Sequence, residues 1–152
     1  MATPDRGLPD LLRPLPGLLV KQHVAIGGLS ESQRSLVLAL VWAGLPTAVM
    51  TERDVNEALK GSLAGAAAFL GTDHVELRRW LVDAGWLARD AFGREYRRVD
   101  GSALAPLLQA LASAFDGVDT GALATALRAA HAAERARRRK AWEDFSAQPP
   151  EV

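Results

Sequence analysis

The chain has 152 residues, of which 49% are hydrophobic, with 18 basic and 18 acidic side chains and no cysteine. That length fits one domain, or one small domain with extensions, and it can fold without a covalent or metal staple. The missing thiols exclude a disulfide framework, a thiolate zinc finger, an iron–sulfur cluster and a cysteine nucleophile. Zero net charge excludes long-range steering by net charge.

Met1 to Asp10 is polar, carries Pro4 and Pro9, and lacks a basic segment followed by an apolar run, so it does not read as a signal peptide. Ser35 to Leu45, the longest apolar stretch, is far short of the roughly 20 residues a membrane span needs. The expectation is a soluble, cytoplasmic protein with no membrane partner.

Residues 1–28 are rich in leucine, proline and glycine. Pro9, Pro14 and Pro16 argue against a helix there. The leucines from Leu11 to Leu19 are too apolar for a free tail, so the segment is expected to be a strap over the core, with a mobile extension as the alternative. Ser30 and Gln33 have capping-box spacing and open a first helix, 31–44, which Gly44 and Pro46 stop. Thr47 to Met50 is strand-prone. Thr51 caps a second helix, 52–60, with Glu52 and Asp54 in its first turn. Ala66 to Leu70 is apolar and reads as a further helical turn. Asp73 opens a third helix, 73–84, with Glu76 three residues on and Gly85 placed to end it. Trp86–Asp90 and Glu95–Val99 read as the strands of a hairpin whose turn holds Gly93. Ser102 is expected to cap the next helix, with Pro106 in its first turn, and a last helix runs from about Thr120 to about Phe145.

Helix, short strand, helix, helix and hairpin is the element order of a winged helix. The fold class is therefore mainly α with a small β-hairpin: a winged helix-turn-helix plus C-terminal helices. The divisions are 1–28 strap, 29–100 winged-helix domain, 101–146 helical extension and 147–152 tail.

The run Thr51-Glu52-Arg53-Asp54-Val55-Asn56, then Asp73, Leu77-Arg78-Arg79-Trp80-Leu81-Val82-Asp83, Gly85-Trp86-Leu87-Ala88-Arg89-Asp90, Gly93 and Tyr96, resembles bacterial domain-of-unknown-function family twenty-eighty-seven. The resemblance covers roughly residues 35–99. Members are small domains, found alone or attached to arsenic-repressor-type winged-helix regulators. It implies a regulator-like, DNA-binding fold. Gly61 to Thr72 is longer than the few residues expected between those two helices.

In a winged helix the third helix can enter the major groove and the hairpin can lie along the backbone or the minor groove. The candidate DNA-binding residues are His74, Val75, Arg78 and Arg79 on the helix and Arg94, Arg97 and Arg98 on the hairpin. Arg78 has no acid three or four residues away, whereas Arg79 has Glu76 and Asp83, so surface ion pairing is the other reading of Arg79. Segment 73–100 holds six arginines and six acids, which tempers the case for nucleic acid. The last helix adds Arg128 and the possible phosphate contacts Arg135, Arg137, Arg138, Arg139 and Lys140. A solvated helix end or a protein partner would use the same residues.

Enzymatic readings are thin. His74-Val75-Glu76 has the His-x-Glu form of zinc deaminases without their cysteine pair. No phosphate-binding glycine loop or nucleophile elbow is present, so no catalytic residue, metal or cofactor is expected. The leading expectation is a transcriptional regulator that binds double-stranded DNA. The competing one is a winged-helix protein-interaction module, with exposed Val75 and Val82. A homodimer through the C-terminal helices fits either, although residues 103–127 could instead cap the core of one copy.

Overall fold

The computed structural model describes residues 7–148 and residue 150. The start of the strap and half of the six-residue tail lie outside the described residues.

The strap does pack on the core. Leu12, Leu15, Leu18, Leu19 and Ile26 are all buried. Its prolines do not keep helix out, contrary to the expectation drawn from their clash with a preceding turn. They start one: α1 (Leu15–Leu19) has Pro14 at its N-cap and Pro16 in its first turn, where no N–H is needed. Short 3-10 turns lie before and after it, at Asp10–Leu12 and Ile26–Gly28.

Helix α2 (Glu31–Ala43) opens with a complete capping box: the Ser30 hydroxyl accepts from the Gln33 N–H while the Gln33 side chain accepts from the Ser30 N–H. Every residue from Leu36 to Trp42 is buried, so α2 is the central helix. Strand β1 (Met50–Thr51) lies a little later than Thr47–Met50. Helix α3 (Glu52–Ala64) is capped by Thr51, reciprocated by Asp54. It continues through Gly61, four residues beyond its expected end.

The long 61–72 stretch has a structural reason. After α3 ends, residues 65–69 form turns rather than a further helical turn, and Leu70 pairs with Val24 of the strap. Val24 N–H donates to the Phe69 carbonyl and Gly71 N–H to the Val24 carbonyl, both at 2.9 Å. A Cβ on Gly71 would lie 3.0 Å from His23 backbone carbons, so any side chain there would press the strap backbone away. The extra residues are the dock for the strap.

Helix α4 (His74–Asp83) has Asp73 as its cap, accepting from the Glu76 N–H at 2.8 Å. The Glu76 carboxylate does not return the bond. It accepts from the Thr72 hydroxyl at 2.7 Å instead. Leu77 and Leu81 bury the inner face of α4, each worth roughly 1.5–3 kcal/mol of transfer free energy. Gly85 has φ +86°, the left-handed conformation that ends the helix cheaply. Strands β2 (Leu87–Arg89) and β3 (Glu95–Arg98) form the hairpin, and β1 pairs with β3, giving an antiparallel sheet in the order β1-β3-β2. The architecture is mainly helical with this small sheet, a winged-helix-like arrangement.

The segment after the hairpin departs from expectation at one point. Ser102 does not cap the next helix. Asp100 accepts from the Ser102 N–H and hydroxyl and closes a 3-10 turn at Gly101–Ala103, and α5 (Pro106–Ala114) begins at the proline. Helix α6 (Thr120–Ala147) is capped by Asp119. Leu104, Leu111, Phe115, Ala124 and Leu127 join the same buried cluster as the strap and α2, so most of the apolar surface of 103–127 caps the core of one copy. Among the described residues, no helix is long and apolar enough to cross a membrane.

Candidate nucleic-acid interface

The sequence brings α4 and the hairpin together through Leu77 and Leu81 below and Tyr96 beside them, all buried. Alternation along the strands then decides which arginine faces where. Leu87 pairs with Arg98, Ala88 with Arg97 and Arg89 with Tyr96. Paired residues share a face, so Arg89 lies on the side of Tyr96 and Arg97 on the opposite side, with Ala88.

Between the outer face of α4 and the hairpin is a cleft of about 320 Å³, lined by Val75, Arg78, Arg79, Val82, Asp83, Arg89 and Tyr96. Three arginines therefore converge there against one carboxylate. Val75 and Arg79 are exposed and Val82 is half-buried. Arg79 makes no ion pair among the described residues, neither with Glu76 nor with Asp83. His74 is the half-buried first residue of α4.

Arg78 has a different place from the one its sequence neighbours suggest. The acid that meets it comes from α3: its Nη1 donates to Asn56 Oδ1 at 2.6 Å and lies 3.4 Å from Glu52 Oε1. Its guanidinium sits 5.5 Å from the Tyr96 ring centroid, and its side chain is only 18% exposed. Arg78 thus ties α4 to α3 and to the hairpin at the floor of the cleft.

Arg98 leaves the group of outward candidates. Its Nη1 lies within 3.3–3.4 Å of the carbonyls of Trp42, Ala43 and Leu45, and its guanidinium is 4.3 Å from the Trp42 ring centroid. Those carbonyls belong to the end of α2, where helices leave C=O groups unpaired and favour a cation. A phosphate would have to compete with the helix end. Arg94 stays outward at the hairpin tip, 5.8 Å from the exposed Phe92 ring. Asp90 Oδ1 accepts from the Arg94 and Glu95 N–H groups and holds that turn. Desolvation pushes the Asp90 carboxyl up, but the backbone donors of residues 92–95 outweigh it and hold the pKa below its ordinary value.

Arg89 was missing from the sequence-derived candidates. The signal for it was present: with Leu87 and Tyr96 as the inward positions, a hairpin register places Arg89 beside Tyr96. Net charge and arginine clustering pointed instead to Arg97 and Arg98, which the strand period separates onto opposite faces.

The basic run of the last helix also divides. Arg128 is turned inward, donating to the carbonyls of Leu19, Gly65 and Ala66 at 3.0–3.3 Å. Arg137 and Arg138 both meet Glu134. Arg135, Arg139 and Lys140 are exposed. At about 100° per residue the five side chains from Arg135 to Lys140 surround the helix rather than forming one stripe.

No curated protein and no solved structure matches the chain. A family model does, that of an uncharacterized protein conserved in bacteria (DUF2087), over residues 29–98. That span begins just before α2 and closes with β3, so it holds the whole of α2, β1, α3, α4 and the hairpin. Residues 29–98 of this chain are a domain of that bacterial family.

Proposed function

We propose that the chain binds duplex DNA through the α4–hairpin surface and acts as a transcriptional regulator in the cytoplasm, in a binding rather than a catalytic role. The observation that carries this reading is the cleft between α4 and the hairpin, in which Arg79 and Arg89 stand exposed beside Val75. A winged helix presents the same two elements to a duplex, the helix to base edges and the wing to the backbone. Val75 and Arg79 are assigned to the groove, Arg89 and Arg94 to phosphates, and Arg78 to positioning α4. His74, the first residue of α4, is assigned to a neighbouring phosphate. The mixed charge of the surface predicts modest affinity with a shallow salt dependence.

The test is fluorescence anisotropy of the full chain with genomic fragments and random duplex across a salt series. Arg89→Ala should weaken all sequences alike and reduce the salt slope by about one. Arg79→Ala should relax discrimination at one base pair by roughly 1–3 kcal/mol. Absence of binding even at low salt sinks the reading and leaves the protein-interaction alternative, for which Val75 and Val82 in the cleft are the relevant surface.

A further inference from the structure

Two surfaces among the described residues are left uncovered, and they are opposite in shape and charge. The first is the outer end of α6. From residue 135 onward its side chains are exposed, including Trp142 and Phe145 at 67% each, with ring centroids 6.0 Å apart. At about 100° per residue both fall on the side of Ala124 and Leu127, the residues that bury the inner half, with Arg138 between them. The stripe that packs α6 onto the body thus continues as an aromatic ridge with nothing beneath it. Around the ridge, residues 134–145 carry five basic side chains against Glu134, Glu143 and Asp144, with Arg137 and Arg138 meeting Glu134.

The second is a groove of about 690 Å³ where the strap, the start of α2 and α5 meet. Leucines from all three elements wall it, and Leu107 is 87% exposed although Leu111, one turn on, is core. Glu31 and Asp10, the latter paired with Arg13 at 2.8 Å, stand on the groove, and among the described residues no basic side chain lines it.

We propose that the outer end of α6 from one copy seats in the leucine groove of a second copy. Trp142 and Phe145 enter the groove, and the basic side chains around them meet Asp10 and Glu31. A ridge with anchors three residues apart is the form an amphipathic helix takes when it lies in an apolar groove. The groove's volume falls in the range of pockets that hold drug-sized molecules. Helices take most of their stability from packing, and from residue 135 onward the side chains of α6 are exposed among the described residues. A second copy supplies the missing partner for both surfaces at once, and a reciprocal, two-fold exchange closes the assembly as a dimer.

Sedimentation equilibrium of the full chain over the micromolar range tests this. The wild type should dimerise, and higher salt should weaken the dimer. Trp142→Ala/Phe145→Ala and Leu107→Glu should each weaken it about tenfold or more, a loss on the order of 1.4 kcal/mol. All three substitutions are at exposed positions, and circular dichroism should show unchanged helix content. Because the chain has no cysteine, Ala141→Cys and Leu107→Cys proteins can be mixed and oxidised. The mixed cross-link should then exceed the Ala141→Cys homodimer. A wild type that stays monomeric overturns the proposal. So does a Leu107→Glu protein that dimerises as tightly as the wild type, which would mean that α6 ends pair with each other.

Discussion

The two halves of α6 hold similar residues in opposite circumstances. The inner half buries Thr120, Ala124 and Leu127 and sends Arg128 to three backbone carbonyls. The outer half carries more arginines, yet they are spread around an exposed rod. The whole helix has 28 residues, which makes it about 42 Å long. What distinguishes Arg128 is where other helices stop. Leu19 is the last residue of α1 and Gly65 the C-cap of α3, so both ends present carbonyls to one guanidinium, the Gly65 carbonyl accepting from the Ala68 N–H as well. The cation also complements the negative ends of those dipoles. Arg98 repeats the arrangement at the end of α2, and Arg34 does so for the carbonyls of Ile26 and Leu29 while lying 4.8 Å from the Trp80 ring centroid. An arginine is structural here when a segment end needs a donor.

That contrast is broken most directly at Arg128. Arg128→Ala should lower stability by about 2 kcal/mol, because charge-assisted bonds to partly buried carbonyls are lost together. Urea unfolding at low protein concentration measures it. Arg128→Lys should not restore the loss, since an ammonium cannot serve carbonyls from two directions as a planar fork does. Arg98→Ala should cost somewhat less, about 1–2 kcal/mol, with binding to random duplex unchanged in any protein that remains folded. Removing the cap with Asp119→Ala should cost about 1 kcal/mol. Alanine at Arg139 or Lys140 should stay within roughly 0.5 kcal/mol of wild type. Equal effects at Arg128 and Arg139 would erase the distinction between the two halves.

Local chemistry was well marked in the sequence. Ser30–Gln33, Thr51, Asp73 and Gly85 delimit helices through bonds made within four residues, so spacing alone exposes them. The order of elements followed from those marks, and with it the winged-helix-like arrangement. Pro16 shows the limit of a rule applied without position: the ring that breaks a helix interior suits a first turn. The candidate site was less legible because its members meet across the fold. Arg78 has no acid on its own helix, and its partners Asn56 and Glu52 lie on α3. Arg97 and Arg98 are neighbours in sequence but a strand puts them on opposite faces. Arg98, Arg128 and Arg34 are indistinguishable from surface arginines until the helix ends they serve are placed in space.

The smallest expected effect concerns the hairpin tip, the other exposed region, and asks whether it too can change without disturbing the core. The Asp90 carboxyl is held below its ordinary value of 3.8 by backbone N–H donors despite some desolvation. A carboxyl whose pKa is lower folded than unfolded favours the folded turn only while it is ionised. Its contribution is therefore complete above the ordinary value and fades as pH falls below 3.8 toward the lower folded pKa. The Arg94 and Glu95 N–H groups then lose a charged acceptor and should exchange faster with solvent. Asp100 titrates in the same direction, held low by the Ser102 backbone and hydroxyl, so the acid response must be assigned residue by residue. Amide resonances followed by NMR during acidification should show the Gly93–Glu95 turn loosening while the buried helix α2 keeps its protection. With Asp90→Asn the acid-dependent part of that loosening should disappear, because the amide keeps an acceptor but cannot titrate. An unchanged acid response in the variant would show that the ionised Asp90 carboxylate does not hold the turn, leaving the tip to the Phe92–Arg94 contact and the strand pairing.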